Sequence, residues 1–269
     1  MELTKDFFYD EVRGGFYIPG MVKRAWGAQL QVLSEIDRIC RKHHIQYFVY
    51  AGTLLGAVRD KQYIPWDDDL DTCMLRSEFQ KFCTVVRDEL PEELSFSTME
   101  FHPDSCNLIS AIGTAVLEMD REKLKRYCEF PYPVSVDIFV LDDLAESPKE
   151  EVDRKELFLY LLSVSSFLLF HKEDKNGIRR HLREVERQFK MRFDPKKANK
   201  TQIFQLMDKI CQMYNGNGGE KVSFLQDQVF DEKNWYFKKD FLKEERLPFC
   251  GIEVPVPTDY DAVLRAEFG

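Results

Sequence analysis

The chain has 269 residues, of which 44% are hydrophobic and 13% aromatic, so it cannot be an intrinsically disordered protein and has room for one large or two small domains. Its formal net charge of −9 and its pI near 5.2 argue against a protein that binds nucleic acid over its whole surface. The seven cysteines are never spaced Cys-x-x-Cys, so they indicate neither a disulfide framework nor a zinc site.

The sequence shows no sign of a signal peptide or of a membrane-spanning helix. Its first residues are polar, and no apolar segment follows them. The longest apolar run, residues 157–170, is interrupted by polar residues and is shorter than the roughly 17–25 residues that a spanning helix needs. We therefore expect a cytoplasmic protein.

The first half of the chain predicts alternating helices and strands. Apolar residues in steps of three and four predict a helix over residues 22–43, and a strand is expected at 46–51. Gly52 and Thr53 then form a turn before a helix that continues to Arg59. Such a turn exposes backbone N–H groups that bind phosphate well, although a plain turn is the alternative. Further elements are expected at 70–75 (strand), 77–90 (helix), 94–101, 108–119 and 134–141 (strands).

The second half of the chain predicts a helical region followed by short strands. Ser147, Pro148 and Glu150 have the pattern of a helix start, for a helix that reaches Phe170, and Thr201 is the expected N-cap of a later helix. The expected domain organisation is a catalytic core at 22–145, a helical subdomain at 146–215 and a C-terminal β/α segment at 216–269 that packs back on the core.

The helix expected at 178–193 and the residues after it are strongly basic. Over residues 178–200, nine basic side chains stand against three acidic ones, in a chain that is acidic as a whole. A solvated helix face explains this excess; an anionic acceptor or the inner face of a membrane, with peripheral association of the protein, is the alternative. The basic residues are Arg179, Arg180, Arg183, Arg187, Lys190, Arg192, Lys196, Lys197 and Lys200.

The most informative segment is an acidic run at residues 64–71, which contains Asp67, Asp68, Asp69 and Asp71. Like charges at this spacing repel, so a folded chain keeps them where water screens them or a cation holds them. Side chains alternate along a strand, which would place Asp69 and Asp71 on one face, roughly 6–7 Å apart. The sequence therefore predicts a chelating pair.

Asp137 is a single acid inside an apolar β run, where burial costs several kcal/mol unless the carboxylate is paired, protonated or bound to a metal. Together with Asp69 and Asp71 it completes a predicted site for one or two Mg²⁺ ions, with Mn²⁺ as an alternative metal. Three acids around Mg²⁺ are typical of phosphoryl transfer. The five histidines show no Ser-His-Asp or Cys-His pattern, so no covalent nucleophile is predicted.

Calcium binding and plain solvation are two alternative roles for the acidic run. Asp67, Asp69, Asp71 and Glu78 stand at positions 1, 3, 5 and 12 of an EF-hand loop, but Thr72 occupies the position that requires glycine. The preceding Ile-Pro-Trp also cannot end an entering helix. A solvated acidic loop without a ligand is the second alternative.

Several segments together resemble the LicD family, which includes bacterial phosphocholine transferases and the fukutin-related proteins. The helical middle of the chain is less diagnostic than the two ends. The similar segments are 47–59 (YFVYAGTLLGAVR), 63–71 (YIPWDDDLD), 136–139 (VDIF) and 254–257 (VPVP), with Tyr260, Leu264, Phe268 and Gly269.

The resemblance implies an α/β (α+β) fold with a nucleotidyltransferase-like core, in which helices flank a small mixed β-sheet and a helical subdomain is added. Asp69, Asp71 and Asp137 would be catalytic metal ligands, and Asp137 would accept the proton of the acceptor hydroxyl. Substrate-binding residues would be Gly52 and Thr53 at the donor phosphates, Arg59 as a further phosphate contact, Trp66, and Asp67 and Asp68 as ligands or supporting residues.

The activity implied by the resemblance is Mg²⁺-dependent transfer of phosphocholine from CDP-choline to a sugar hydroxyl of a glycan, a lipopolysaccharide or a teichoic acid precursor. The partners are then a CDP-alcohol donor and a glycan or lipid-linked glycan acceptor, without nucleic acid. Transfer of glycerol phosphate, ribitol phosphate or a nucleotide is an alternative within the same fold. A non-catalytic, metal-dependent glycan-binding protein is an alternative from another class.

Overall fold

The computed structural model describes residues 3–102, 104–114 and 121–269. The chain divides into two compact units. Unit 1 comprises Met1–Ser97, Ile109–Leu141 and Tyr236–Gly269, and unit 2 comprises Thr98–Leu108 and Asp142–Trp235. The predicted domain division at 22–145, 146–215 and 216–269 stays a prediction.

The described residues form both helices and strands, as predicted for an α/β protein. The helices are α1 (Gly20–Lys42), α2 (Ala51–Arg59), α3 (Arg76–Glu89), α4 (Arg121–Arg126), α5 (Pro148–Phe170), α6 (Lys175–Gln188), α7 (Asn199–Cys211), α8 (Leu225–Gln228) and α9 (Tyr260–Phe268). The strands are β1 (Glu11–Arg13), β2 (Phe16–Ile18), β3 (Phe48–Val49), β4 (Asp71–Leu75), β5 (Leu94–Ser97), β6 (Ser110–Thr114), β7 (Ser135–Asp143), β8 (Lys221–Ser223), β9 (Tyr236–Phe237), β10 (Glu244–Phe249) and β11 (Ile252–Pro257). Short 3-10 helices lie at Lys5–Phe8 and Lys238–Phe241.

Unit 1 is built on a mixed sheet with the strand order β3-β4-β7-β6-β5. β4 and β7 are parallel, and the other neighbouring pairs in this order are antiparallel. Helix α1 buries one face, which includes Trp26, Leu30, Leu33 and Ile36, and packs against β6 and α3. The predicted small mixed sheet flanked by helices is therefore confirmed.

The C-terminal part of unit 1 forms an antiparallel hairpin of β10 and β11. Pro255 and Pro257 lie in β11 opposite Arg246 and Glu244. Proline has no backbone N–H and cannot donate a hydrogen bond to a neighbouring strand. It is tolerated here because both strands of a two-stranded ribbon are edge strands, as the alternating prolines in the sequence predicted. β11 packs against β3, and α9 packs against α2. Gly52 and Thr53, predicted as a turn before this helix, lie inside its first turn, because the helix already begins at Ala51.

Unit 2 is mainly helical. Its core joins α5, α6 and α7 through side chains such as Phe158, Leu161, Val185, Ile203 and Met207. The end of β7 pairs with β8 in an antiparallel register, Asp142 with Ser223 and Asp143 with Val222. In the described part of the chain, no helix is both long enough and apolar enough to cross a membrane.

Two predicted strands are shorter in the structure, and a third begins two residues later than predicted. The strand expected at 46–51 is reduced to Phe48–Val49, because Ala51 has a positive φ of 47° and begins α2. The strand expected at 94–101 ends at Ser97. The strand expected at 108–119 is Ser110–Thr114, and the remainder of that prediction, residues 115–119, lies outside the described residues.

Two helix starts also differ from the prediction. α6 begins at Lys175, three residues before the predicted start, because the Asp174 side chain accepts a hydrogen bond from the Gly177 N–H and caps the helix. Thr201 is buried inside α7 and is not its N-cap; Ala198 holds that position without a side-chain cap. The prediction for Thr201 was wrong because tertiary burial outweighed the local preference of threonine for caps.

Candidate active site

The acidic run is held in place by side chains of α1. The Trp26 indole N–H donates a hydrogen bond to the Asp67 carbonyl oxygen at 2.9 Å, and the Gln29 amide donates one to the Asp68 carbonyl at 2.9 Å. The Trp26 ring stacks on Tyr63, with the ring centroids 4.6 Å apart. Helix α1 therefore binds the backbone of the acidic run and leaves the aspartate side chains of the run available for other contacts.

Asp71 and Asp137 lie side by side on the two parallel strands of the sheet. Asp71 is the first residue of β4 and is the register partner of Asp137 in β7. The Asp137 N–H donates to the Leu70 carbonyl at 2.9 Å, and the Asp71 N–H donates to the Thr53 hydroxyl at 2.9 Å. The sheet thus joins two acids that are far apart in sequence.

Asp67, Asp68 and Asp69 form the closest carboxylate group in the described part of the chain. One oxygen from each of these side chains lies within 4.8 Å of the others. Asp69 precedes β4, so strand alternation does not position it relative to Asp71. Asp71 and Asp137 lie outside this close triple, and their charges nevertheless interact with Asp69.

Gly52 makes room for the acidic run. A Cβ at this position would lie 2.5 Å from Oδ2 of Asp67, which is closer than real contacts allow. The Asp67 carboxylate therefore lies beside the first turn of α2, where the helix dipole favours negative charge. A glycine is needed here for the close approach of a side chain.

Burial and neighbouring carboxylates raise the pKa of three aspartates of the site. Burial, followed by the charges of Asp69, Asp137 and Asp67, raises the pKa of Asp71 to about 8. Burial and a hydrogen bond to Asp69 raise the pKa of Asp67 to about 6. Burial and the charge of Asp69 also raise the pKa of Asp137. Close carboxylates in a half-buried site disfavour full ionisation unless a cation is bound.

No basic side chain in the described residues neutralises this cluster, because Asp67, Asp68, Asp69, Asp71 and Asp137 form no salt bridge there. Carboxylate oxygens are the ligands that Mg²⁺ prefers. The donor set and the mutual repulsion thus fit a divalent cation, with Asp67, Asp68 and Asp69 as the closest donors and Asp71 and Asp137 beside them.

The other predicted substrate residues have different surroundings. Thr53 is buried, and its hydroxyl accepts the hydrogen bond from Asp71, so it positions that acid. Arg59 is exposed and forms a salt bridge with Asp60 at 2.7 Å. Trp66 is 63% exposed and makes an edge contact with Phe16. The structure shows neither Arg59 nor Trp66 in contact with the acidic cluster.

Two features of the site could not be predicted from local sequence. Glu267 in α9 adds to the raised pKa of Asp71, after burial and the nearer aspartates, so one further interacting carboxylate comes from the C-terminal helix. Ala51 holds a positive φ at the start of α2, directly after Tyr50. A positive φ is uncommon for alanine, so the sequence does not predict it at Ala51. The sequence also does not predict that Glu267, in an amphipathic helix, interacts with Asp71.

A family model described as the LicD/FKTN/FKRP nucleotidyltransferase domain matches residues 44–105 of the chain. This segment contains Gly52, Thr53 and the whole acidic run, so the resemblance to the LicD family is confirmed there. The match ends before Asp137.

Three bacterial proteins are similar to parts of the chain. A protein of Haemophilus influenzae named lipopolysaccharide cholinephosphotransferase LicD is 32% identical over 124 residues, which are 45% of this chain and 44% of that protein. An uncharacterized protein of Rickettsia typhi is 40% identical over 56 residues, 21% of this chain and 18% of that protein. One of Rickettsia prowazekii is 40% identical over 48 residues, 18% of each chain. The chain thus spans less than half the length of these relatives.

Proposed function

We propose that the protein is a phosphotransferase that moves phosphocholine from CDP-choline to a sugar hydroxyl of a glycan, as in a lipopolysaccharide or teichoic acid precursor. The observation that carries this proposal is the uncompensated carboxylate cluster, in which Asp71 and Asp137 on parallel strands interact with Asp69. The partial similarity to a cholinephosphotransferase supports the choice of the transferred group.

In this proposal Asp69, Asp71 and Asp137 hold one or two Mg²⁺ ions, with Asp67 and Asp68 as further oxygen donors. The bound cation would neutralise the phosphate oxygens of the donor and assist the departure of CMP. Mn²⁺ could replace Mg²⁺, because both ions accept carboxylate and water ligands.

The protein's own groups would bind and orient the donor and move one proton. Helix α2 begins without a side-chain cap. The backbone N–H groups of Gly52 and Thr53 in its first turn are therefore suited to bind phosphate oxygens. The Thr53 hydroxyl holds the backbone of Asp71, and Trp26 and Gln29 hold that of the acidic run. Asp137 would also take the proton from the attacking sugar hydroxyl as the general base.

The proposal also assigns a place in the cell. The protein would act on the cytoplasmic side of the membrane, where CDP-activated donors are made, and would associate peripherally with the inner face to reach a lipid-linked acceptor. The basic segment at 179–200 supports this assignment.

The test is CMP release from CDP-choline in the presence of Mg²⁺ and a lipid-linked glycan acceptor, with mass spectrometry of the product. We expect a phosphodiester product in which the acceptor has gained phosphocholine. Asp69→Asn and Asp71→Asn should each lower the rate by roughly 100-fold or more, because each removes a charge from the cation site.

The matched control is Asp88→Asn, which removes an exposed carboxylate on α3 and should leave the rate unchanged. Pyrophosphate release from a nucleoside triphosphate would identify a nucleotidyltransferase instead. Glycan binding without turnover would indicate a binding protein. A rate that survives both Asp69→Asn and Asp71→Asn would remove the acidic cluster from the mechanism.

A further inference from the structure

The outward face of α6 in unit 2 carries a row of arginines. At about 100° per residue, Arg179, Arg180, Arg183 and Arg187 fall within an arc of about 100° on one side of the helix. All four side chains are exposed. Val185 is buried on the opposite side of the same helix. The basic residues are therefore arranged on a single surface.

The inner side of α6 packs against α5. The ring of His181 lies 4.4 Å from the ring of Phe167, measured between centroids, and Phe167 also stacks on His171. Val185 joins α6 to the core of unit 2. This packing fixes which side of α6 faces outward, so the arginine row is a stable feature of unit 2.

Within unit 2, the acidic residues of α6 neutralise only part of the row, because Glu184 pairs with Arg187 and the charge of Arg183 acts on Glu186. Glu184 forms a salt bridge with Arg187 at 2.5 Å, and Glu186 forms one with Arg192 at 3.0 Å. Among the described residues, Arg179, Arg180 and Arg183 form no salt bridge. Exposed Lys190, Lys196 and Lys197 follow the helix and extend the positive surface.

A large apolar side chain lies close in sequence to the start of this helix. Phe170 is the last residue of α5 and is 77% exposed, and its neighbour Leu169 is 43% exposed. A four-residue connection joins Phe170 to α6. Full exposure of a phenylalanine to water is unfavourable, and its burial contributes about 1.5–3 kcal/mol in a core. Basic residues close in sequence to an exposed aromatic and aliphatic pair are typical of segments that bind anionic lipid.

We propose that the outward face of α6 and the exposed end of α5 form a docking surface for an anionic lipid membrane. The arginines would contact lipid phosphates, and Phe170 and Leu169 would enter the boundary between headgroups and acyl chains. This proposal concerns unit 2 and does not depend on the activity proposed for the acidic cluster. It specifies the chemistry of the surface, an acidic phospholipid, and the residues that recognise it.

The experiment is flotation of the whole protein with vesicles of phosphatidylcholine alone or of phosphatidylcholine mixed with phosphatidylglycerol. We expect binding to the mixed vesicles at low salt and its loss near 1 M salt, where the Debye length is about 3 Å. Each basic residue near an anionic surface contributes about fivefold to binding, so the triple variant R179Q/R180Q/R183Q should bind roughly 100-fold more weakly.

Two further variants test whether vesicle binding depends on this surface, and not on the net charge of the protein or on binding to polyanions in general. The control K209Q/K233Q/K243Q removes the same charge from exposed lysines elsewhere and should bind like the unmodified protein. Phe170→Ser should weaken vesicle binding roughly tenfold without changing its salt dependence. Circular dichroism would establish that each variant is folded.

The proposal is overturned if neither vesicle type binds, or if the control variant loses binding as strongly as the arginine variant. It is also overturned if soluble polyglutamate displaces the vesicles and Phe170→Ser has no effect, since the surface would then be a site for acidic polymers.

Discussion

Buried charged groups have opposite surroundings in the two units. In unit 2 the fully buried Arg154 donates to Glu151 at 2.7 Å and to the Asp143 carbonyl at 2.8 Å, and its guanidinium lies over the Tyr214 ring. The second oxygen of Glu151 accepts from the Ala145 N–H at 2.9 Å. In unit 1 the half-buried Asp67, Asp71 and Asp137 meet other carboxylates instead of a basic partner in the described residues.

We interpret this difference as that between a structural charge and the functional cluster proposed above. A buried charge that finds its partners inside the protein supports the fold, and removal of one partner leaves the other without compensation. A group of like charges without a partner destabilises the folded state. A bound ligand of opposite charge can remove this destabilisation. The following variants test whether the two clusters differ in this way.

The largest effect is expected for Arg154→Met. This change leaves Glu151 buried without its cation, so the free energy of unfolding should fall by about 3–5 kcal/mol. Urea denaturation followed by circular dichroism measures it. Lys155→Met removes the half-exposed positive charge next in sequence and should change the stability by less than about 0.5 kcal/mol. Equal effects of the two variants would mean that the Arg154 network is not a structural charge cluster.

A smaller effect, on activity, is expected for Gly52→Ala. The added Cβ would meet Oδ2 of Asp67 at 2.5 Å, so the carboxylate must move. A displacement of this size should lower the rate of CMP release by roughly 10- to 100-fold. Gly15→Ala, at a turn with a φ of +80° and open space around it, tests whether backbone strain from the loss of a glycine elsewhere changes the rate. Unchanged kinetics of Gly52→Ala would show that the position of Asp67 does not matter for the reaction.

The smallest effect is a dependence of stability on pH in the metal-free protein. The folded state raises the pKa of Asp71 from 3.8 to about 8, so between these values the folded state holds a proton that the unfolded chain has lost. Stability must therefore fall as the pH rises through this window. Asp71→Asn should remove this contribution and stabilise the metal-free protein by an amount of the order of 1 kcal/mol near pH 8, equivalent to about 2–4 °C in melting temperature.

Thermal melting at a series of pH values measures this effect, and addition of Mg²⁺ supplies the contrast. The ion should raise the melting temperature of the unmodified protein, and the gain should increase with pH because protons compete for the carboxylates. The Asp71→Asn variant should gain less. A melting temperature that rises with pH and is insensitive to both Mg²⁺ and Asp71→Asn would contradict the assignment of a cation site.

Local patterns in the sequence were sufficient for the longer helices. The apolar spacing that predicted the first helix corresponds to α1, and Pro148 begins α5 as its pattern indicated. Local patterns failed at short strands and caps. A two-residue strand such as β3 carries little periodicity, and the buried Thr201 is held by tertiary packing that a cap preference does not reflect.

By itself, the sequence determined the acidic run, the glycine and threonine in the first turn of α2, and the isolated acid at Asp137, because these depend on which residues are present and in what order. The tertiary structure decided how these residues meet. The parallel pairing of β4 with β7 places Asp71 beside Asp137, and Trp26 and Gln29 hold the run from about forty positions away. Strand register and hydrogen bonds between distant residues depend on the packing of the whole unit, so no local pattern contains them.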